Sequence, residues 1–381
     1  MTKNISQRRN VRWGTACGAY NFDMGRREDG KFMSEVLRLA KKGEGKTLSN
    51  PMVGAIIVKN GKIIARGYHH GFGKPHAEAD VLRKAGKRAK GATLYVNLEP
   101  CNHFGKTPPC APAVISAGIA RVVCAARDPN KMAQGGIEAL RKAGIKVSLG
   151  LCEKEARELN EVFYTFHEKK RPFVSLKYAA SLDGKMATYA RDSKWITNES
   201  ARAYARRLRG LHQAVIVGIG TVLADNPHLT ARTRGMNEPF RIVLDPDLKI
   251  PLHSHILEGG RTIVFVSAHA SAKKKKDLER KNVRVITFPG STAAPARILA
   301  ELGRLGITSV LVEGGGEVLG SFIDAKLADK VYAFFAPVLI GGRGAVTIGG
   351  KGAKTVSEAL HFKNISVSRF GDNLLVIGSP L

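Results

Sequence analysis

Three short stretches of this chain hold residues that could do chemistry together: His76-Ala77-Glu78, Pro100-Cys101 and Pro109-Cys110. One imidazole and two thiolates are a donor set that binds Zn2+ through three protein ligands and leaves a fourth position for water. The thiolates offset the charge of the ion, and an ion so held acidifies the water beside it. Hydrolysis with that water also needs a carboxylate that carries protons to the departing group. Glu78 stands two residues after His76, so it can face the water without binding the metal. The assignment is therefore His76, Cys101 and Cys110 as zinc ligands and Glu78 as the catalytic proton carrier.

The elements around these residues have to bring them together. A helix is expected from near His76 to about Ala85, which puts Glu78 in its first turn. Thr93–Leu98 reads as a strand, and Cys101 follows it after Pro100. A second helix begins after Pro109 and ends near Gly118, so Cys110 lies at a helix N-terminus, where a thiolate is stabilised. Upstream, Lys31–Lys42 places Phe32, Val36, Leu39 and Ala40 on one helical face. Val53–Val58 and Ile63–Gly67 flank Asn60-Gly61, a strong hairpin signal. Downstream come a strand at Arg121–Ala125, a helix at Gly136–Ala143 and a strand at Lys146–Leu149. Such alternation argues a layered α/β domain. A charged helix over 153–170 ends at Arg171-Pro172, which sets a domain boundary. The first domain is thus 29–170 and the second 171–381. Residues 1–28, with Arg8, Arg9, Arg12, Arg26 and Arg27 and no hydrophobic period, read as a basic extension. A transit peptide, a basic arm and an upstream-shifted start all fit it.

The second half restarts with a strand at Phe173–Lys177 and continues with strands at Ala214–Val217, Arg241–Leu244, Thr262–Val266, Val283–Ile286 and Ser309–Val312. Lys330–Pro337 and Leu374–Ile377 complete a second α/β pattern. Gly218-Ile219-Gly220 is a poor dinucleotide fingerprint, because Leu223 occupies its third glycine position. Glu313-Gly314-Gly315-Gly316 is a better phosphate cradle: it follows a strand and opens a helix, where free amides bind anions.

Bulk composition narrows the class. No apolar run approaches the roughly 18 residues of a membrane span, so no membrane partner is expected. Five cysteines in 381 residues argue against a disulfide framework and for a reducing compartment. The cytoplasm is the expected location, with organellar import left open by the basic extension. Lys and Arg number 61 against 32 Asp and Glu, a net charge of +29 that favours anionic partners. The basic residues are spread along the chain, so a phosphorylated small molecule is favoured over nucleic acid.

His-x-Glu followed by Pro-Cys and a second cysteine is the pattern of zinc nucleobase deaminases; here eight residues separate Cys101 from Cys110. The segment Leu98–Cys110 resembles that of the bifunctional riboflavin-biosynthesis deaminase/reductase family, as do Asn50-Pro51-Met52-Val53-Gly54, Gly67-Tyr68-His69 and Asp128-Pro129-Asn130. In the second half the resemblance runs through Lys177–Lys185, Ser193–Thr197, Gly220–Pro227, Leu229–Arg232 and the Glu313 turn. It implies a cytidine-deaminase-like three-layer domain followed by a dihydrofolate-reductase-like one. It places Asn50, His69, His103 and Lys106 on the substrate of the deaminase. It implies NADPH held by Ala179, Trp195, Thr221, Asp225, Gly314, Gly315 and Gly316. Ser193, Arg209, Leu229, Arg232 and Glu313 would line the second substrate site. The implied substrate is 2,5-diamino-6-ribosylamino-4(3H)-pyrimidinone 5′-phosphate, deaminated and then reduced at its ribosyl carbon. Lys177, Asp183 and Glu313 remain alternatives for the acid of the reduction. A homo-oligomer is expected. The rival readings are a tRNA base deaminase with an appended domain, which the charge favours, and a non-catalytic scaffold, which the presence of Glu78 disfavours.

Overall fold

A computed structural model of the chain describes residues 24–381, except Lys106, Arg234, Ser291 and Thr292. It divides into two compact units, the second spanning Val162–Leu381.

The first unit begins with α1 (Met24–Ala40), which takes in the last residues assigned above to the basic extension. Its inner face is Met33, Val36, Leu39 and Ala40, all buried at helical spacing. The strands β1 (Gly54–Lys59) and β2 (Lys62–Tyr68) form the expected hairpin. Asn60 and Gly61 both take positive φ, 51° and 69°, as the tight turn requires. Then follow α2 (Ala77–Ala85), β3 (Thr93–Leu98), α3 (Cys110–Ser116), β4 (Arg121–Ala126), α4 (Gly136–Lys142), β5 (Lys146–Leu149) and α5 (Glu153–Leu159). The sheet order is β2-β1-β3-β4-β5, antiparallel from β2 to β3 and parallel from β3 to β5. Helices α1 and α5 pack together on one face, while α2, α3 and α4 form the other layer. Gly54 permits this closeness: a Cβ there would stand 2.2 Å from the Val36 carbonyl. Asp29 anchors α1, accepting a hydrogen bond from the Tyr95 hydroxyl at 2.5 Å and a two-point bond from Arg121 at 3.1 and 2.6 Å.

The single charged helix expected over 153–170 is two helices, α5 and α6 (Glu161–Lys169), interrupted at Asn160. The Asn160 side chain accepts the Met52 N–H at 2.7 Å and donates to the Met52 carbonyl at 3.0 Å. An asparagine recruited to hold a loop cannot also sit mid-helix without cost.

The second unit contains α6, β6 (Phe173–Ser181), α7 (Glu199–Leu211), β7 (Ala214–Gly218), α8 (Ile219–Asp225), β8 (Phe240–Leu244) and β9 (Thr262–Ser267). It continues with α9 (Ala272–Arg280), β10 (Arg284–Phe288), α10 (Pro295–Arg304), β11 (Ser309–Val312), α11 (Gly316–Asp324), β12 (Lys330–Ala336), β13 (Phe362–Phe370) and β14 (Asn373–Pro380). Its sheet runs β10-β9-β8-β7-β11-β6-β12-β14-β13, parallel up to β12 and antiparallel at the last two strands. Strand periodicity splits the core in two. Val215 and Val217 join Leu208 of α7 and Leu278 of α9. Ala214 and Ile216 join Leu299 of α10 and Phe322 of α11. Sequence reading misses β13, whose residues are exposed nearly throughout. With no buried face it leaves no apolar stripe to read.

Candidate active sites

The carboxyl end of β3 and the starts of α2 and α3 bring the predicted zinc ligands together. His76 Nδ1 lies 3.5 Å from Cys101 Sγ and 3.3 Å from Cys110 Sγ. All three donor atoms fall within 4.8 Å of one another, which suits one ion with bonds of about 2.0–2.3 Å. Both cysteines are buried. The Cys101 thiol is held well below the usual thiol range, first by the Cys110 thiol and then, against burial, by His76 and the Cys110 backbone N–H. Cys110 is pushed up as it keeps the shared proton. Metal binding displaces that proton, so the pair reads as a ligand set waiting for a cation. Glu78, in the first turn of α2, is 4% exposed, and burial raises its carboxyl to about 7.

Two residues that sequence reading passes over hold this set in place. The Thr107 hydroxyl lies 3.2 Å from His76 Nε2, so it takes the ring proton when Nδ1 faces the metal. Glu99 is 2% exposed and accepts the backbone N–H groups of Gly135, Ile137 and Asp128 at 3.1, 3.2 and 3.3 Å. It thereby joins the turn carrying Cys101 to α4. Gly136 lets α4 approach, since a Cβ there would stand 1.7 Å from the Pro100 carbonyl oxygen. A charged residue just after an apolar strand is the only trace of Glu99's role in the sequence.

Of the expected substrate residues, Asn50 and His69 are paired at 3.1 Å, Asn50 Nδ2 to His69 Nε2. Burial lowers the His69 pKa and so favours the neutral ring. Its Nδ1 donates to the Pro75 carbonyl at 3.1 Å, which leaves Nε2 to accept from Asn50. His69 also meets the His76 ring edge-on, 5.5 Å between centroids. His103 Nδ1 is buried with no protein partner. Lys106 lies outside the described residues.

In the second unit the expected residues gather at the carboxyl ends of the central parallel strands, where open α/β sheets bind ligands. Gly314–Gly316 follow β11 and lead into α11. Gly315 has φ 60°, and a Cβ on it would lie 3.7 Å from the Thr221 hydroxyl, so Thr221 of α8 faces the glycine turn. A Cβ on Gly316 would strike the Thr347 carbonyl at 2.0 Å. A turn stripped of side chains beside a hydroxyl fits a phosphate-bearing cofactor. Asp225 pairs with Lys194 at 3.4 Å, and the Arg202 guanidinium covers the exposed Trp195 ring at 4.5 Å. Ala179 lies on β6, and Ser193 precedes the Trp195 segment.

Arg209 and Glu313, both expected at the second substrate site, are paired: the Arg209 fork grips Glu313 at 2.6 and 2.9 Å. The Leu229 side chain is buried in the core, so a ligand would meet its backbone. Arg232 is exposed, with Nε 3.3 Å from the Thr230 hydroxyl.

Cys101, Cys110 and Cys124 are free thiols. Among the described residues no helix is long and apolar enough to cross a membrane.

Fold and site together define a zinc-dependent deaminase joined to a dihydrofolate-reductase-like reductase. Residues 26–126 match the cytidine and deoxycytidylate deaminase zinc-binding region, and residues 172–376 match the RibD C-terminal domain. The riboflavin biosynthesis protein RibD of Aquifex aeolicus is 44% identical over 350 residues, covering 91% of this chain and 97% of that protein. That of Escherichia coli K12 is 37% identical over 364 residues, covering 91% and 98%. Among solved structures, Acinetobacter baumannii RibD superposes with a TM-score of 0.85 at 34% identity, covering 94% of this chain and all of that one. A deaminase/reductase from Thermotoga maritima superposes with a TM-score of 0.81 at 40% identity over 94% of this chain and 100% of that chain. The chain belongs to the RibD family, the bifunctional deaminase and NADPH-dependent reductase of riboflavin biosynthesis. A match over 94% of the chain to a deaminase/reductase gives no support to the tRNA base deaminase reading.

Proposed function

We propose that the first unit removes an exocyclic amine from 2,5-diamino-6-ribosylamino-4(3H)-pyrimidinone 5′-phosphate. The second unit then reduces the opened ribosyl group of the product to a ribityl chain. The observation that carries this reading is the convergence of His76 Nδ1 and two cysteine sulfurs beside a buried carboxylate, in a chain whose second half is a reductase domain. The similar Thermotoga maritima protein is described as a diaminohydroxyphosphoribosylaminopyrimidine deaminase and 5-amino-6-(5-phosphoribosylamino)uracil reductase.

His76, Cys101 and Cys110 would hold zinc, which supplies the Lewis acidity that activates a water. Glu78 carries the protons: a carboxyl whose midpoint lies near neutrality can both take one from water and deliver one to the departing amine. Asn50, His69, His103 and Lys106 would hold the base and phosphate of the substrate. Burial of Cys101, Cys110 and Glu78 keeps bulk water off the reacting atoms.

In the second unit Gly314–Gly316, Thr221, Asp225, Trp195 and Ala179 would hold NADPH, which supplies the hydride. Ser193, Arg209, Leu229, Arg232 and Glu313 would line the site of the sugar phosphate. Reduction at C1′ also needs a proton, and the three candidate acids have different surroundings. Asp183 accepts bonds from the Ser181 hydroxyl at 2.6 Å and the N–H groups of Ile340 and Gly341 at 3.1 and 2.8 Å. These donors hold it down to about 2, and it serves to tie two loops. Glu313 is likewise kept ionised by Arg209 and Lys177, against the opposing effect of burial. Lys177 is left: its Nζ lies 3.6 Å from Glu313, and burial lowers its pKa, which makes its ammonium a better proton donor.

The chain is also proposed to act as a homo-oligomer in the cytoplasm. The edge strand β13, which exposes Ile365 and Val367, supports the first point. The need to keep Cys101 and Cys110 reduced supports the second. The test is a coupled assay on the purified chain with the diaminopyrimidinone ribosyl phosphate, following NADPH absorbance and product mass, with and without a zinc chelator. Deamination followed by gain of two hydrogens, with deamination abolished by chelation, is the expected result. Deamination with no NADPH oxidation contradicts the account of the second unit.

A further inference from the structure

The loop after α8 and the segment before β9 bring together three side chains that neither reaction uses. His228 and His255 stack, with ring centroids 4.3 Å apart and planes at 21°. Both turn Nδ1 toward one carboxylate: His255 Nδ1 lies 2.9 Å from Glu258 Oε1, and His228 Nδ1 lies 3.7 Å from Glu258 Oε2. We propose that His228, His255 and Glu258 form a second metal site, taking a borderline dication such as Zn2+ through two imidazole nitrogens and one carboxylate oxygen.

Spacing favours an ion. In a tetrahedral zinc site with bonds near 2.0–2.1 Å, neighbouring donor atoms stand about 3.4 Å apart. The two observed separations lie on either side of that figure, and the three donor atoms all fall within 4.8 Å of one another. Binding would turn the two rings out of their stack, because an imidazole lone pair lies in its own ring plane, and would bring one Glu258 oxygen toward both nitrogens.

Protons alone do this job poorly. For the carboxylate to form ion pairs with both rings, both rings would have to carry a charge. Two stacked imidazoliums would also repel each other by about 1 kcal/mol even in water. One dication satisfies all three groups with both rings neutral.

The backbone is already arranged for it. The His255 N–H donates to Asn226 Oδ1 at 2.9 Å, and Asn226 caps α8 in the left-handed region with φ 41°. The segment bearing His255 is thus tied to the loop bearing His228. Arg241 donates to the Glu258 carbonyl and fixes the turn that carries the carboxylate. An ion at this point would brace the loop that runs from Asp225 to Leu229, both assigned to the reductase site. The open fourth position and the exposed side chains, 38%, 46% and 62%, make the ion exchangeable.

The test is calorimetric titration of the full chain with Zn2+, starting from protein that holds its deaminase zinc, with metal content measured after gel filtration. Wild type should take up one further zinc per chain. His255→Ala and Glu258→Gln should each weaken that uptake at least tenfold while the deaminase zinc stays. Both positions are exposed, and Glu258→Gln covers the case in which His255→Ala folds poorly. A wild-type chain with no second saturable site overturns the proposal, as does uptake by both variants at wild-type affinity.

Discussion

Arg209 and Glu313 meet as a two-point ion pair, Nε to Oε1 at 2.6 Å and Nη2 to Oε2 at 2.9 Å, across 104 positions of sequence. Lys177 approaches the same carboxylate at 3.6 Å. The Glu313 side chain is only 5% exposed, so one buried anion balances two cations at the end of β11. Burial by itself would raise the Glu313 pKa, and the two cations outweigh it, holding the group at about 2.

Glu313→Gln should therefore damage the reductase alone. Removing one partner of a buried pair costs about 3–5 kcal/mol, because the remaining charge stays unpaired. Lys177 would lose the anion that favours its ammonium form. The expected outcome is a lower unfolding temperature of the second unit and loss of NADPH oxidation, with deamination retained. Calorimetry and separate assays of the two reactions check this.

Thr107→Val should weaken zinc binding without touching a ligand. The hydroxyl lies 3.2 Å from His76 Nε2 and fixes which ring nitrogen faces the two sulfurs. Loss of such a partner costs roughly 10–100-fold in metal affinity. Competition with a chromogenic chelator measures it, and Thr107→Ser should recover most of the loss.

His212 should make stability depend on pH. It is buried, with Nδ1 2.8 Å from the Leu208 carbonyl and Nε2 2.8 Å from the Ser175 hydroxyl. Burial pushes its pKa from 6.5 to about 4. The unfolded chain takes up its proton near 6.5 and the folded chain only near 4, so between these values unfolding binds a proton. His212 thus contributes fully above pH 6.5, and the contribution falls as pH drops toward 4. The whole difference is about 3 kcal/mol. Unfolding temperatures of wild type and His212→Gln, compared at pH 7 and pH 4.5, should converge on acidification.

The zinc site was legible because each ligand sits at a strand or helix boundary with a recognisable neighbour: His76 before Glu78, Cys101 after Pro100, Cys110 after Pro109. The central strands were legible because alternate residues such as Val215 and Ile216 enter opposite cores. Strand β13 was not, since it buries no face. The break at Asn160 was not, because it answers to Met52, 108 positions away. Glu99 and Arg209 show the same limit. Their types were visible, but what each carboxylate or guanidinium grips is set by chain folding between distant segments.

The most direct test of two separate chemistries on one chain is Glu78→Gln in the full-length protein. The account predicts unchanged zinc content and deamination slowed by about a thousandfold, the scale of a lost general acid–base. Reduction of independently deaminated substrate should proceed at the wild-type rate. Deamination within a few-fold of wild type, with zinc still bound, would contradict the role given to Glu78 and with it the account of the first unit.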